Sequence, residues 1–551
     1  MDDLILRLED QGIPVFQQSE EDYERSVATS NLLFRFARPD CVVQPESILH
    51  VQSIIKYARA LKLTLTIKCG GHSYAGHSTA SRDISLDLRR MNTVKLDMKS
   101  RVVTIDAGCQ WGTVYKTLIN GKHNGFIING GRCPFVGVSG FVLGGGLGPF
   151  TRSFGMGSDT LQEATLVTAD GKLVTVRDTD DPSSDRGKLF WALRGAGGGN
   201  FGVMVQMKMK VEKLQNEDGL VVAGKYQWFP KPETMDDFMA TMNAFYRADW
   251  SSRMTIDSTW MCDLRQKTGD SVRFLACFDG NKEEFDTQID RYIKHPELAK
   301  QLKRRSLPEK STRFLHETLV FQWSEETTRA FPTNKTYSIY SSFVFSNEKR
   351  TIESVTSILR EEMQTFRSLY MGEQVGFLIT WIHSGGKAKE KRASDTAFFW
   401  REATYHTYVT LDWEDKWMEK DMRGFLEGVK AKLRRFSLGG EAAFINFPDG
   451  ALSKKMHEKA YFGDNREKLR QVKEIWDKGN FFQGAQGVQL KDVDEGEQTD
   501  ESGEDLTDSI AREQWESFTV IKLMLYRQVF YCGKLPQAHG WRQYSNGGAY
   551  R

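Results

Sequence analysis

Lys68-Cys69-Gly70-Gly71-His72-Ser73-Tyr74-Ala75-Gly76-His77-Ser78 and Gly130-Gly131-Arg132-Cys133-Pro134-Phe135-Val136-Gly137-Val138-Ser139-Gly140 are the two stretches on which the reading of this chain turns. Each sets one nucleophile, His72 or Cys133, among glycines. Glycine lacks a Cβ, so the main chain can press against a ligand and aim several N–H groups at phosphate or ring oxygens, and a nucleophile in the same loop then reaches that ligand. Alone, a Gly-Gly-His is more often a tight turn and a buried cysteine a small hydrophobe. Two such loops in one chain are a much stronger signal.

Further glycine runs lie downstream. Gly144-Gly145-Gly146-Leu147-Gly148 precedes Arg152-Ser153-Phe154-Gly155-Met156-Gly157, and Gly197-Gly198-Gly199-Asn200-Phe201-Gly202 spells a literal Gly-x-Gly-x-x-Gly. A Rossmann loop must open a helix, whereas Val203 to Val211 alternates like a strand, so this motif is not read as a nicotinamide site. Around the loops, residues 39–211 alternate short β-branched runs with glycine turns. Glu46 to Ala58 has helical spacing, Thr64 to Lys68 and Val102 to Asp106 read as strands, and Ala164 to Val176 reads as a hairpin turning at Asp170-Gly171.

From about Glu217 the glycine density falls, and strand-like runs such as Val221 to Trp228 alternate with charged helices such as Thr351 to Phe366. The character changes again near Glu441, where Glu458 to Asn465 leads into a helix over Arg466 to Trp476. An acidic, hydroxyl-rich tract from Asp492 to Asp508 lacks the apolar surface to fold alone and is expected to be a flexible linker. The expected division is an N-terminal segment 1–33, domains over 34–216 and 217–440, a return segment 441–490, and a tail 491–551.

At 551 residues, two or three folding units are expected. With 75 basic and 73 acidic residues the net charge is +2, which gives no electrostatic reason to expect nucleic acid or a charged membrane as partner. A small-molecule substrate is the expectation that remains. The seven cysteines (Cys41, Cys69, Cys109, Cys133, Cys262, Cys277 and Cys532) show no zinc-ligand spacing or disulfide framework, so no metal is expected. The first ten residues lack the apolar core of a secretory signal and read as cytosolic, a mature secreted chain being the alternative. No membrane span is expected, because Phe518 to Tyr531 carries basic residues and is too short.

The loops at residues 68–78, 130–148, 190–203 and 461–482, in this order and spacing, resemble those of the berberine-bridge-enzyme-like flavoproteins, a branch of the vanillyl-alcohol-oxidase superfamily. The resemblance covers roughly Phe34 to Gln489. It implies an α+β fold: a two-part FAD-binding domain of the vanillyl-alcohol-oxidase type, plus a substrate domain with an antiparallel sheet covered by helices. It also implies FAD held covalently through both His72 and Cys133. The implied cofactor-binding positions are Gly70, Gly71, Ser73, Ser78, Gly137, Val138, Gly140, Gly144, Gly145, Gly202, Val203, Tyr461 and Asn465.

In such a protein the double tether raises the flavin potential, which suits hydride abstraction from an unreactive C–H, and oxygen reoxidises the flavin to give hydrogen peroxide. Val136 stands where the family has a gatekeeper for oxygen, and valine there resembles the oxygen-permissive members, so an oxidase is expected over a dehydrogenase. Many relatives carry Tyr-x-Asn-Tyr where this chain has Phe444-Ile445-Asn446-Phe447, and Phe141 replaces a frequent histidine. Phenylalanine accepts no proton, so the base is sought elsewhere: Tyr74, which matches a pocket tyrosine, and His406 and Tyr408, which share one face of a strand over Tyr405 to Thr410. His383 is read first as structural. The expected activity is oxidation of a small, largely apolar alcohol, amine or phenolic intermediate with O2, in secondary metabolism. The alternatives are a dehydrogenase, or a non-redox cyclase or binding scaffold on the same fold.

Overall fold

The computed structural model describes residues 1–332 and 335–490, and the expectations for the 491–551 tail lie outside the described residues. Three sheets organise the described chain. The smallest runs Val15–Gln17, Cys41–Val43, Ile84–Asp87, Leu65–Lys68; its last three strands are parallel and its first pairs antiparallel. The helix Ile48–Ala60 connects Cys41–Val43 to Leu65–Lys68. Its N-cap is Ser47, whose hydroxyl accepts from His50 N at 3.2 Å, so the helix starts two residues after Glu46, where periodicity begins it.

A second, antiparallel sheet is ordered Val94–Asp97, Val102–Asp106, Val203–Lys213, Leu161–Val167, Leu173–Arg177, with Phe126–Ile128 also paired to Val203–Lys213. The expected hairpin is present, with Val167 opposite Leu173. Val203 enters a strand directly after the Gly197–Gly202 loop.

The third sheet has seven antiparallel strands, ordered Ser306–Lys310, Leu220–Trp228, Ser271–Phe278, Met254–Asp263, Val375–His383, Tyr405–Trp413, Tyr337–Phe345. Its pleat sends alternate side chains to two different cores. Tyr405, Val409, Leu411 and Trp413 pack with apolar residues of the helices Met235–Arg247, Lys349–Tyr370 and Glu419–Leu433, whereas Tyr408 joins the core of the glycine-rich half. Both faces of Tyr405–Trp413 are therefore buried, and every residue of the strand is sequestered from solvent. The helix Arg466–Trp476 has the bounds expected from its periodicity. Residues 1–490 form one compact unit. Among the described residues, no helix is long and apolar enough to cross a membrane.

Candidate functional site

Backbone contact between the two glycine loops creates the site. A methyl group added at Gly70 would lie 2.4 Å from Gly137 N, and one at Gly137 would lie 2.5 Å from Gly70 N. Only residues without a Cβ allow the His72 and Cys133 loops to touch in this way. The Cys133 loop is pinned further by its neighbours. Tyr115 donates its hydroxyl to Gly131 O at 2.7 Å. Arg132 donates to both carboxylate oxygens of Asp257, at 2.6 and 3.1 Å, and to Leu147 O at 2.5 Å. Asp257 belongs to the seven-stranded sheet and also accepts from His383 N at 2.8 Å, so one buried ion pair fixes the cysteine loop to that sheet.

A cavity of about 630 Å³ opens where these loops meet, within the range of small-molecule and cofactor sites. His72 and Cys133 both line it, together with Gly70, Gly71, Ser73 and Ser78 of the first loop and Val136, Gly137 and Gly140 of the second. Gly202 contributes from the Gly-x-Gly-x-x-Gly loop. Burial lowers the His72 imidazole from its usual value to about 4 and pushes the Cys133 thiol up. Cys69 and His77 of the first loop also line the cavity; Cys69 is buried and donates its thiol to Ala107 O at 2.9 Å, and His77 is exposed.

The lining is suited to a flavin dinucleotide. A Cβ at Gly140 would meet nothing within 4 Å, and one at Gly198 would meet only Leu143 Cδ1, at 3.7 Å. Bare main chain thus faces open space, as a diphosphate or a ring edge requires. Ser78 Oγ is buried with no hydrogen-bond partner among the described residues, a donor left for a ligand. Lys68 also lines the cavity. These features provide N–H, hydroxyl and ammonium donors together with two nucleophiles.

Aromatic side chains from three separate segments build another part of the lining. Tyr74 stacks on Tyr340 at 4.1 Å between centroids, with Tyr408 and Phe447 each 5.9 Å away. Tyr408 and Phe447 are 4.5 Å apart, and Phe444 lies 5.2 Å from Phe447. Burial raises the Tyr74, Tyr408 and Tyr340 hydroxyls, the last to about 12. Tyr74 and Tyr408 therefore meet on the cavity. His406 does not line it: its ring is 5.0 Å from Phe444 and 5.7 Å from Phe398, and its Nδ1 is 2.9 Å from Ser384 Oγ. Burial lowers the His406 imidazole to about 3. His383, also buried, accepts from Ile256 N at 3.3 Å.

The remaining expected positions support the site without lining it. Val138 and Val203 are fully buried in the core. A Cβ at Gly144 would collide with Asn446 Oδ1, and one at Gly145 would press on Met156 and Phe398. Tyr461 donates to Gln486 Oε1 at 2.8 Å, and Asn465 Nδ2 donates to the carbonyls of Ala393, Thr396 and Ala397. Sequence reasoning did not single out Tyr340, Trp323, Glu326 or Arg329, which line the cavity from Tyr337–Phe345 and from the short helix Ser324–Arg329 and the residue before it. Nothing in the spacing of those segments marks them, because they reach the site only through the packing of the sheet.

Two family models match the chain: an FAD binding domain over residues 39–177, and a segment described as berberine and berberine like over residues 443–489. An uncharacterized FAD-linked oxidoreductase of Bacillus subtilis, YgaK, is 25% identical, the match covering 86% of this chain and 96% of that protein. The monolignol oxidoreductase AtBBE-like 13 of Arabidopsis thaliana is also 25% identical, over 82% of this chain and 84% of that one. Among solved structures, berberine bridge enzyme from Eschscholzia californica superposes with a TM-score of 0.73 at 20% identity, covering 88% of this chain and 99% of that chain. A chitooligosaccharide oxidase superposes with a TM-score of 0.72 at 18% identity, over 89% and 99%. These superpositions are likenesses of fold.

Proposed function

We propose that this chain, a berberine-bridge-enzyme-like FAD-linked oxidoreductase, carries FAD on both His72 and Cys133 and oxidises a small, largely apolar alcohol, amine or phenol with O2 as the acceptor. The observation that carries the reading is the presence of both nucleophiles on one glycine-lined cavity. FAD, when bound there, supplies the hydride acceptor and passes the electrons on to oxygen. The chain's own residues bind and orient. The Tyr74, Tyr340, Tyr408 and Phe447 rings offer apolar faces to a flat substrate, and Val136 leaves a small side chain on the lining. Relatives support oxidase chemistry by their names: tetrahydroberberine oxidase of Berberis wilsoniae is 24% identical over 87% of this chain, and a carbohydrate oxidase of Microdochium nivale is 29% identical over 42%.

The test is the mass and visible absorbance of the protein after acid denaturation, in the parent and in His72→Ala and Cys133→Ala. Expected are flavin retained by the parent and one remaining bond in each single variant, followed by peroxide release with a responsive substrate. Free flavin released from the denatured parent overturns the double tether. A flavin-loaded protein that turns substrate over without peroxide points to the dehydrogenase instead.

A further inference from the structure

The helix Ser324–Arg329 separates two cavities, and its acidic residues are satisfied very differently. Glu325 faces the second cavity and pairs with the buried Arg273 guanidinium. Glu326, one residue on, lines the glycine-loop cavity, as do Trp323 and Arg329 at helical spacing of three. Its Oε2 is buried without a hydrogen-bond partner among the described residues. The two cations that act on its charge each pair with another carboxylate: Arg273 with Glu325, and Arg329 with Asp412, at 2.7 Å. A buried carboxylate oxygen left without a donor is costly, and such an atom on a ligand cavity calls for a donor that arrives with the ligand.

Glu326 shares the cavity lining with Tyr74, Tyr340, Tyr408 and Cys133, and its charge helps to raise all four groups. None of the alternatives on that lining accepts a proton near neutral pH. The three tyrosines have raised hydroxyls, Phe444 and Phe447 have no acceptor, and His406 lies off the cavity.

We propose that Glu326 is the proton acceptor of the reaction and that it selects, among substrates with an apolar ring, those carrying a free hydroxyl. In the step, the substrate O–H bond breaks, its electron pair stays on oxygen, and the proton bonds to a Glu326 carboxylate oxygen. This rests on the reading of the cavity as a flavin and substrate site.

The experiment is calorimetric titration of the full-length holoprotein with 4-chlorophenol and with 4-chloroanisole. The two probes share a ring, differ in the free O–H, and have no benzylic carbon to oxidise. The parent is expected to bind the phenol at least about tenfold more tightly than the ether. Glu326→Gln should shrink the gap to about threefold or less, while Glu325→Gln keeps it. Glu326→Gln should also melt no lower than the parent, since burial raises the Glu326 carboxyl and the amide relieves the cost of burying that charge. Equal affinities in the parent, no binding of either probe, a gap that survives in Glu326→Gln or vanishes in Glu325→Gln, or a large drop in melting temperature each overturns the proposal. Calorimetry needs no colour, so flavin retention, read from the spectrum beforehand, reports separately on the covalent attachment.

Discussion

His72 and Cys133 are unequally ready to react. Burial lowers the imidazole to about 4, so at neutral pH it is an unprotonated nucleophile, whereas burial raises the thiol and disfavours the reactive thiolate. A histidine with a lowered value loses its proton earlier as pH rises, so attachment at His72 should stay constant from about pH 7 to 5 and fail only near 4, not near the ordinary value of about 6.5. Attachment at Cys133 should accelerate with rising pH. Flavin incorporation into apoprotein, followed by mass across pH in His72→Ala and Cys133→Ala, separates the two profiles; an acid limb near 6.5 in the Cys133→Ala variant would sink the assignment of a buried neutral His72. That His72 and Cys133 sit in glycine loops was legible in the sequence, because residue identity and glycine neighbours are local facts, whereas their meeting on one cavity was not. Glu326 was not, because an unpartnered carboxylate is defined by what surrounds it.

At the scale of elements, the Arg132–Asp257 pair is the tie between the cysteine loop and the seven-stranded sheet, with both side chains almost fully buried. Removing one partner of a buried pair strands the other charge, at a cost of about 3–5 kcal/mol. Asp257→Ala should therefore lose about that much stability in urea unfolding, and Cys133 attachment should suffer more than His72 attachment; an unchanged midpoint would show the pair to be dispensable. Regular elements were largely readable from periodicity: Val102–Asp106 and Arg466–Trp476 have the expected bounds. The face-sharing of His406, Tyr408 and Thr410 followed from the pleat, but not the consequence that Phe444 and Phe398 stand against His406. Those phenylalanines come from other segments.

At the scale of the molecule, two apolar cores of the described residues lie on the two sides of the large sheet, and the cavity opens on the side shared with the glycine-rich half. Residues 1–490 are a compact unit, so a chain ending at Leu490 should load FAD and melt as the full chain does; loss of flavin on truncation, seen by absorbance, would assign the tail a part in the site. The sequence by itself determined the glycine loops, their nucleophiles, the strand after Gly202 and the α+β character, because close backbone approach and side-chain periodicity are written in adjacent residues. Only the tertiary structure decided that Tyr74, Tyr340, Tyr408 and Phe447 form one aromatic cluster and that Glu326 lines the same cavity. Such neighbours are brought together by sheet order and packing across hundreds of residues, which no local pattern encodes.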